Sequence, residues 1–247
     1  MRLLLEISYK GSAYHGWQVQ TGTNFKTVQG ELQGALEKLL EQDVELTGCS
    51  RTDAGVHARQ YFCTVSADRI SIPCASLPYA LGSLLPPDIV LLNAAVCEDD
   101  LFHPRYSCKE KEYVYLMSDA PRRDPFSADR VWHLYQPLDV EKMARAAEHF
   151  VGTYDFSAFC ASGSSVEDKT RTVYSCEVSR DGHIVSLKIR GNGFLYNMVR
   201  IITGTLVDVS RGKINEEDIE KIIKSLDRKR AGQTAPPEGL YLERVIY

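Results

Sequence analysis

The order in which apolar repeats follow one another constrains this chain more than any other feature. Arg2–Tyr9 is an apolar run of strand length. Val28–Glu41 places apolar residues at 28, 32, 35, 36, 39 and 40, a helical spacing, with Thr27 ahead of it as N-cap. Val44–Thr47 reads as a short strand. His57–Ala67 alternates and carries Tyr61, Phe62 and Val65, again a strand. Ala75–Leu84 is predicted helical and ends before Pro86-Pro87. Ile89–Val96 reads as a buried strand. The second half repeats the order. Lys111–Ser118 is a strand and Val140–Val151 a helix capped by Asp139. Thr172–Ser179 and Ile184–Arg190 are strands joined at an Asp181-Gly182 turn. Phe194–Val209 is a longer helix, Glu216–Ser225 an extra one, and Leu240–Tyr247 a closing strand. Two copies of a split β-α-β arrangement follow, an α+β chain with two sheets side by side and a cleft between the halves. The boundary falls near Asp99–Lys109, which divides the chain into domains 1–104 and 105–247.

Composition narrows the class. The 247 residues suit one large domain or two small ones. With 44% apolar and 25% charged residues, disorder is excluded as the main state. Runs such as Ile89–Val96 fall far short of the ~20 residues that span a bilayer, so no membrane association is expected. Glu6 interrupts the apolar start, which reads as a strand and not as a signal peptide. Seven cysteines, at 49, 63, 74, 97, 108, 160 and 176, form no C-x-x-C pair. Neither a disulfide framework nor a zinc site is expected, and reduced thiols suit a cytoplasmic setting. The net charge is −4, from 29 basic and 33 acidic residues. Its distribution is uneven: residues 31–45 carry Glu31, Glu37, Glu41, Asp43 and Glu45 against Lys38 alone, whereas 169–200 carry Lys169, Arg171, Arg180, Lys188, Arg190 and Arg200 against Glu177 and Asp181.

The segment Thr47–His57 stands out, with an arginine, an aspartate and two glycines between two strands. Arg51 and Asp53 are two apart, so in an extended segment both point to one side and can pair. A cation beside a carboxylate keeps it ionised, which suits a nucleophile or a general base. The same residues also suit an Asx-turn capped by Arg51. His57 is open to two roles, general acid or structural hydrogen bonding. Gly191 and Gly193 flank Asn192 ahead of a predicted helix, the pattern of a phosphate nest.

Arg51-Thr52-Asp53-Ala54-Gly55-Val56-His57-Ala58 resembles the RTD-x-GVHA signature of the tRNA pseudouridine synthase A family. Further blocks resemble the same family in order along the chain. They are Ser8–Gln18, Phe102–Ser107 with Lys111–Tyr115, Gly152–Phe159, Thr170–Thr172, Gly193–Gly204 and Ala235–Leu242. Lys10 departs from the Asp common in that family, and Cys49-Ser50 from the Gly or Ala common before the arginine.

The resemblance implies two ferredoxin-like halves with a basic active-site cleft between them. It also implies isomerisation of uridine to pseudouridine at positions 38, 39 and 40 of the tRNA anticodon stem-loop, with no metal or redox cofactor. In the roles it suggests, Asp53 is the catalytic carboxylate, Tyr113 the active-site tyrosine and Arg200 the partner of Asp53; Tyr115, on the same side of a regular strand as Tyr113, is the second candidate. Leu240 walls the uracil pocket. Arg51 pairs with Asp53 or fills the gap left by a flipped nucleotide. Arg105 and Arg171, with Tyr106, Lys109, Lys111 and Arg190, are expected on the RNA surface. The partners it implies are tRNA and a second copy of the chain, in a homodimer. Two other classes compete, a non-catalytic RNA-binding module and a glycosidic hydrolase. A binding module has no use for a carboxylate facing phosphates, and such hydrolases usually pair two carboxylates.

Overall fold

Leu3, Leu5, Ile7 and Tyr9 of β1 (Arg2–Tyr9) are buried and the residues between them only partly so. That period of two is what a strand with one face on a core requires. The computed structural model describes residues 1–164 and 166–247. These form a mixed α/β protein with mostly antiparallel strand pairs and, among the described residues, five α-helices. None of those helices is long and apolar enough to cross a membrane. Two compact units divide the chain: Met1–Lys109 with Leu242–Tyr247, and Glu110–Tyr241.

In unit 1, β1 is followed by α1 (Val28–Leu40), β2 (Glu45–Gly48), β3 (His57–Ser66), α2 (Leu77–Gly82) and β4 (Ile89–Val96). β1 lies between β3 and β4, antiparallel to both, and β2 pairs antiparallel with β3. The register sets Leu5 opposite Cys63 and Ile7 opposite Tyr61. α1 starts where its cap predicts, with Thr27 Oγ1 accepting from Gly30 N–H at 3.2 Å. Its Val28, Leu32, Ala35 and Leu36 face the core. The helix expected over Ala75–Leu84 is shorter. A 3₁₀ turn at Cys74–Ser76 precedes six α-helical residues, with Pro78 in the first turn, where its missing N–H costs nothing.

Unit 2 runs β5 (Glu110–Ser118), β6 (Trp132–His133), α3 (Val140–Glu148), β7 (Gly152–Asp155), β8 (Thr170–Asp181), β9 (Ile184–Gly191), α4 (Met198–Ser210) and α5 (Ile219–Ser225). The order β5-β9-β8-β7 is antiparallel throughout, and β6 pairs parallel with β5. β6 and β7 are two and four residues long, too short to show a period in sequence. Asp139 caps α3 through Lys142 N–H at 3.1 Å. α4 is buried on nearly every side, as an all-round apolar helix must be. Its Thr203 and Thr205 hydroxyls donate back to Val199 and Ile201 carbonyls, both at 2.8 Å. The helix begins four residues later than Phe194, because Asn197 takes a left-handed conformation (φ 60°).

A charged node ties β5, the β8–β9 hairpin and the approach to α3. Arg180 donates to both oxygens of Asp119, at 3.0 and 2.7 Å, and to the Leu138 carbonyl at 2.9 Å. Asp119 accepts Leu138 N–H in return at 3.0 Å. The last strand, β10 (Leu240–Ile246), starts in unit 2 and ends in unit 1, where it lies next to β3.

Candidate active site

In unit 1 the Ser50–His57 segment lies flush against Tyr9–Trp17. Trp17 N–H donates to the Thr52 carbonyl at 3.1 Å, and Gly55 N–H to the Tyr14 carbonyl at 3.2 Å. The Tyr9 and Thr52 hydroxyls meet at 2.7 Å, and Tyr61 donates to the Ser50 carbonyl at 2.5 Å. Val56 N–H closes a turn onto the Asp53 carbonyl at 3.1 Å. Beneath the segment Trp17 stacks on Tyr61, with ring centres 4.2 Å apart. A Cβ on Gly11 would overlap the Val56 carbonyl, so the two backbones touch there. The half-buried Asp53 therefore takes its position from a main chain pinned on both sides.

His57 is buried, and its Nδ1 accepts Gly11 N–H at 3.0 Å. That nitrogen carries no proton, so the ring helps hold the loop, which fits the structural role among the two read from the sequence. Arg51 is exposed and, among the described residues, forms no ion pair with Asp53. Arg105 is exposed on the same unit, its guanidinium 5.8 Å from the Tyr106 ring centre.

Unit 2 carries Tyr113 and Tyr115 on β5, Arg200 on α4 and Leu240 at the start of β10. Tyr113 is buried opposite Ile189, its ring edge-on to Phe194 at 5.2 Å. Tyr115, two residues on, is fully buried and donates to the Pro236 carbonyl at 2.6 Å. Burial pushes its phenol well above the ordinary range. Arg200 donates from Nε to the Ala235 carbonyl at 2.7 Å and from Nη1 to Asn197 Oδ1 at 2.6 Å. Ala235 N–H returns a bond to the Arg200 carbonyl at 3.0 Å. Leu240 is buried just after the 3₁₀ turn at Pro237–Gly239.

Asn197 and Ala235 are the positions sequence reasoning misses. A peptide carbonyl has no side-chain letter to read, and Asn197 lies inside the run whose apolar spacing predicts a helix from Phe194. Elsewhere in unit 2, Arg171 donates to the Asp168 and Thr170 carbonyls at 3.0 and 2.6 Å. Arg190 and Lys188 are balanced by Glu110 and Glu112 of the neighbouring strand, each at 3.4 Å. The expected nest at Gly191 and Gly193 does not open a helix. Gly191 ends β9, against the Thr172 carbonyl, and α4 starts seven residues beyond it.

A sequence profile described as tRNA pseudouridine synthase matches residues 146–247. A protein of Thermoanaerobacter sp. (strain X514) named tRNA pseudouridine synthase A is 46% identical over 245 residues, 99% of either chain. Proteins of the same name from Bacillus licheniformis and Staphylococcus aureus (strain MRSA252) are 46% and 40% identical. They align over 100% and 99% of this chain, and over 99% and 91% of their own. Among solved structures, a chain of a Cbf5-Nop10-Gar1 complex overlays 97% of this chain and 57% of its own, at 15% identity and a TM-score of 0.38. With near-complete overlap at this level of identity, the chain belongs to the tRNA pseudouridine synthase A family, isomerases that act on tRNA.

Proposed function

We propose that this protein converts uridine to pseudouridine at positions 38, 39 and 40 of the tRNA anticodon stem-loop, with Asp53 as the reacting carboxylate. The observation that carries the assignment of Asp53 is the clamping of its segment by Tyr9, Tyr14 and Trp17. A reacting group must be held to a fraction of an ångström, and main-chain bonds do that best.

The reaction breaks the C1′–N1 bond, turns the uracil, and forms a C1′–C5 bond. C5 gives up its proton and N1 gains one. Asp53 can attack C6 or C1′, or take a ribose proton on a glycal path, and each route needs its ionised form. Tyr113 stacks on the base and exchanges a proton through its phenol. Arg200 completes the catalytic set, and Leu240 walls the base. A uridine in a stem must leave its stack to react, and Arg51, exposed in unit 1, fills the gap it leaves or meets phosphate. Arg105 and Arg171 contact the RNA backbone. The halves 1–104 and 105–247 are read as ferredoxin-like, a reading supported by the antiparallel strands and helices in both units. The enzyme is read as a cytoplasmic homodimer sharing one tRNA, and light scattering checks it: a single-chain mass rejects the dimer.

The decisive assay measures pseudouridine in an unmodified tRNA transcript, by tritium release or mass labelling. Asp53→Asn and Asp53→Ala are expected to lose at least about a hundredfold in turnover while still binding tRNA. Smaller losses in either variant overturn the assignment. A wild-type protein that binds tRNA and makes no product favours the binding-module reading instead.

A further inference from the structure

Unit 2 holds a recess of about 550 Å³ between the turn at Ser157–Phe159, the residues after it and the end of α5. Its described lining includes two cations, Lys169 and Arg228, three hydroxyls, Ser162, Ser164 and Thr234, and no carboxylate. Ser157 also lines it but donates its proton to Asp155. Arg228 donates to the Gly232 carbonyl at 2.9 Å and to Thr234 Oγ1 at 3.0 Å. Among the described residues, neither Arg228 nor Lys169 has a carboxylate within ion-pair distance. Burial pulls the Arg228 guanidinium below its ordinary range, the signature of a cation losing water without gaining a counter-charge. A guanidinium has five donors, and Nε of Arg228 and one Nη2 proton stay unassigned among the described residues. An oxyanion supplies what such a group lacks.

The recess adjoins the Arg200 segment. Thr234 precedes Ala235, whose carbonyl holds Arg200, and Ala161 N–H donates to the Tyr196 carbonyl at 3.0 Å, just ahead of Asn197. We propose that this recess seats a phosphate of the tRNA backbone close to the nucleotide being modified, with Lys169 and Arg228 as its counter-charges. A polyanion that offers one base to Tyr113 and Arg200 carries its neighbouring phosphates past this edge of the same unit. The proposal rests on the tRNA-modifying reading above. Asp53→Asn tests that reading through product, whereas the assay here reads binding alone, so the two can fail separately.

The test is the dissociation constant of an unmodified tRNA transcript for the full chain, across potassium chloride from about 50 to about 200 mM. Lys169→Gln removes one phosphate contact. It is expected to weaken binding about 3-fold or more at low salt and to make the log–log salt slope shallower by about one. Ser162→Glu, at an exposed position, puts a carboxylate into the recess and is expected to weaken binding at least as much. Lys221→Gln, whose ammonium is paired with Asp218 at 2.7 Å, is expected to change neither quantity. Unchanged affinity and slope in both recess variants overturn the proposal, as does an equal loss in Lys221→Gln. A further arm uses inorganic phosphate at constant ionic strength. Thermal stabilisation of the wild type but not of Lys169→Gln, with the tRNA slope unmoved, assigns the recess to free phosphate and overturns the RNA reading.

Discussion

The segment that carries Asp53 and the side chain of Arg200 are held in different ways. Around Asp53 the bonds run from main chain to main chain, with buried tyrosine and tryptophan rings below. Arg200 instead is tethered at its guanidinium, by Asn197 Oδ1 and the Ala235 carbonyl. The difference follows from side-chain length. An aspartate carboxylate sits two bonds from its Cα, so fixing the backbone narrows the charge to a few staggered positions. An arginine carries about 2 kcal/mol of rotamer entropy, so its far end has to be tied separately. Unit 1 is thus sensitive to added bulk at the backbone, whereas unit 2 is sensitive to the loss of individual hydrogen bonds.

The contrast is tested most severely at two glycines. A Cβ at Gly11 would overlap the Val56 carbonyl, and one at Gly204 the Gln233 carbonyl. Gly11→Ala and Gly204→Ala are each expected to cost about 3 kcal/mol in denaturant unfolding. Single-turnover rates then separate them. Gly11→Ala moves the Asp53 main chain directly and is expected to lose more than about tenfold. The flexible Arg200 stem can follow a shifted Gln233–Ala235, so Gly204→Ala loses less. The reverse order breaks the comparison.

Next in size is the Asp119–Arg180 node of unit 2. Asp119→Asn is expected to cost about 3 kcal/mol near neutral pH, because it leaves Arg180 without its charge partner. The Arg180 guanidinium holds the Asp119 carboxyl below the usual carboxylate range. The folded protein therefore takes up this proton less readily than the unfolded chain. The stabilisation is complete above the unfolded value, about 4, and is lost as pH falls through the lower folded value. Wild-type stability is expected to fall more steeply with acid than that of Asp119→Asn, and parallel curves in urea titrations count against the node.

Two phenols give the smallest effects. Tyr115→Phe removes the donor to the half-buried Pro236 carbonyl and is expected to cost about 1–2 kcal/mol. Tyr9→Phe leaves a Thr52 hydroxyl that can turn to another acceptor, and about 1 kcal/mol is expected. Thermal melts of the pair decide, and a larger loss at Tyr9 reverses the contrast.

Elements defined by local periodicity are legible in the sequence. The caps at Thr27 and Asp139 and the turn at Asp181-Gly182 lie where their residue types place them, because each is satisfied within a few positions along the chain. Features decided by distant backbone are not. Nothing local marks β6, which exists through its pairing with Met117 and Ser118. The delayed start of α4 depends on one left-handed Asn197, within a run whose apolar spacing fits a helix from Phe194. At the candidate site, the motif around Asp53 stands out by composition, but its clamp does not. Thr52 and Gly55 are fixed by peptide groups of Trp17 and Tyr14 that any sequence possesses. The Lys169–Arg228 recess is silent for a related reason, since 59 positions separate its two cations.

The closing strand has a consequence for biosynthesis. Leu242–Tyr247 belong to unit 1, yet the ribosome makes them after all of unit 2. Until they emerge, a nascent chain shows the flank of β3 that β10 later covers. It also lacks the Lys109 bond to Ile246 and the Tyr247 ring beside Phe62. An uncovered strand edge invites pairing with other chains. A translation product that stops after Tyr241 would keep Asp53, Tyr113, Arg200 and Leu240 and still carry that adhesive flank. Premature termination here yields a protein marked for chaperones and proteases, not a shortened enzyme.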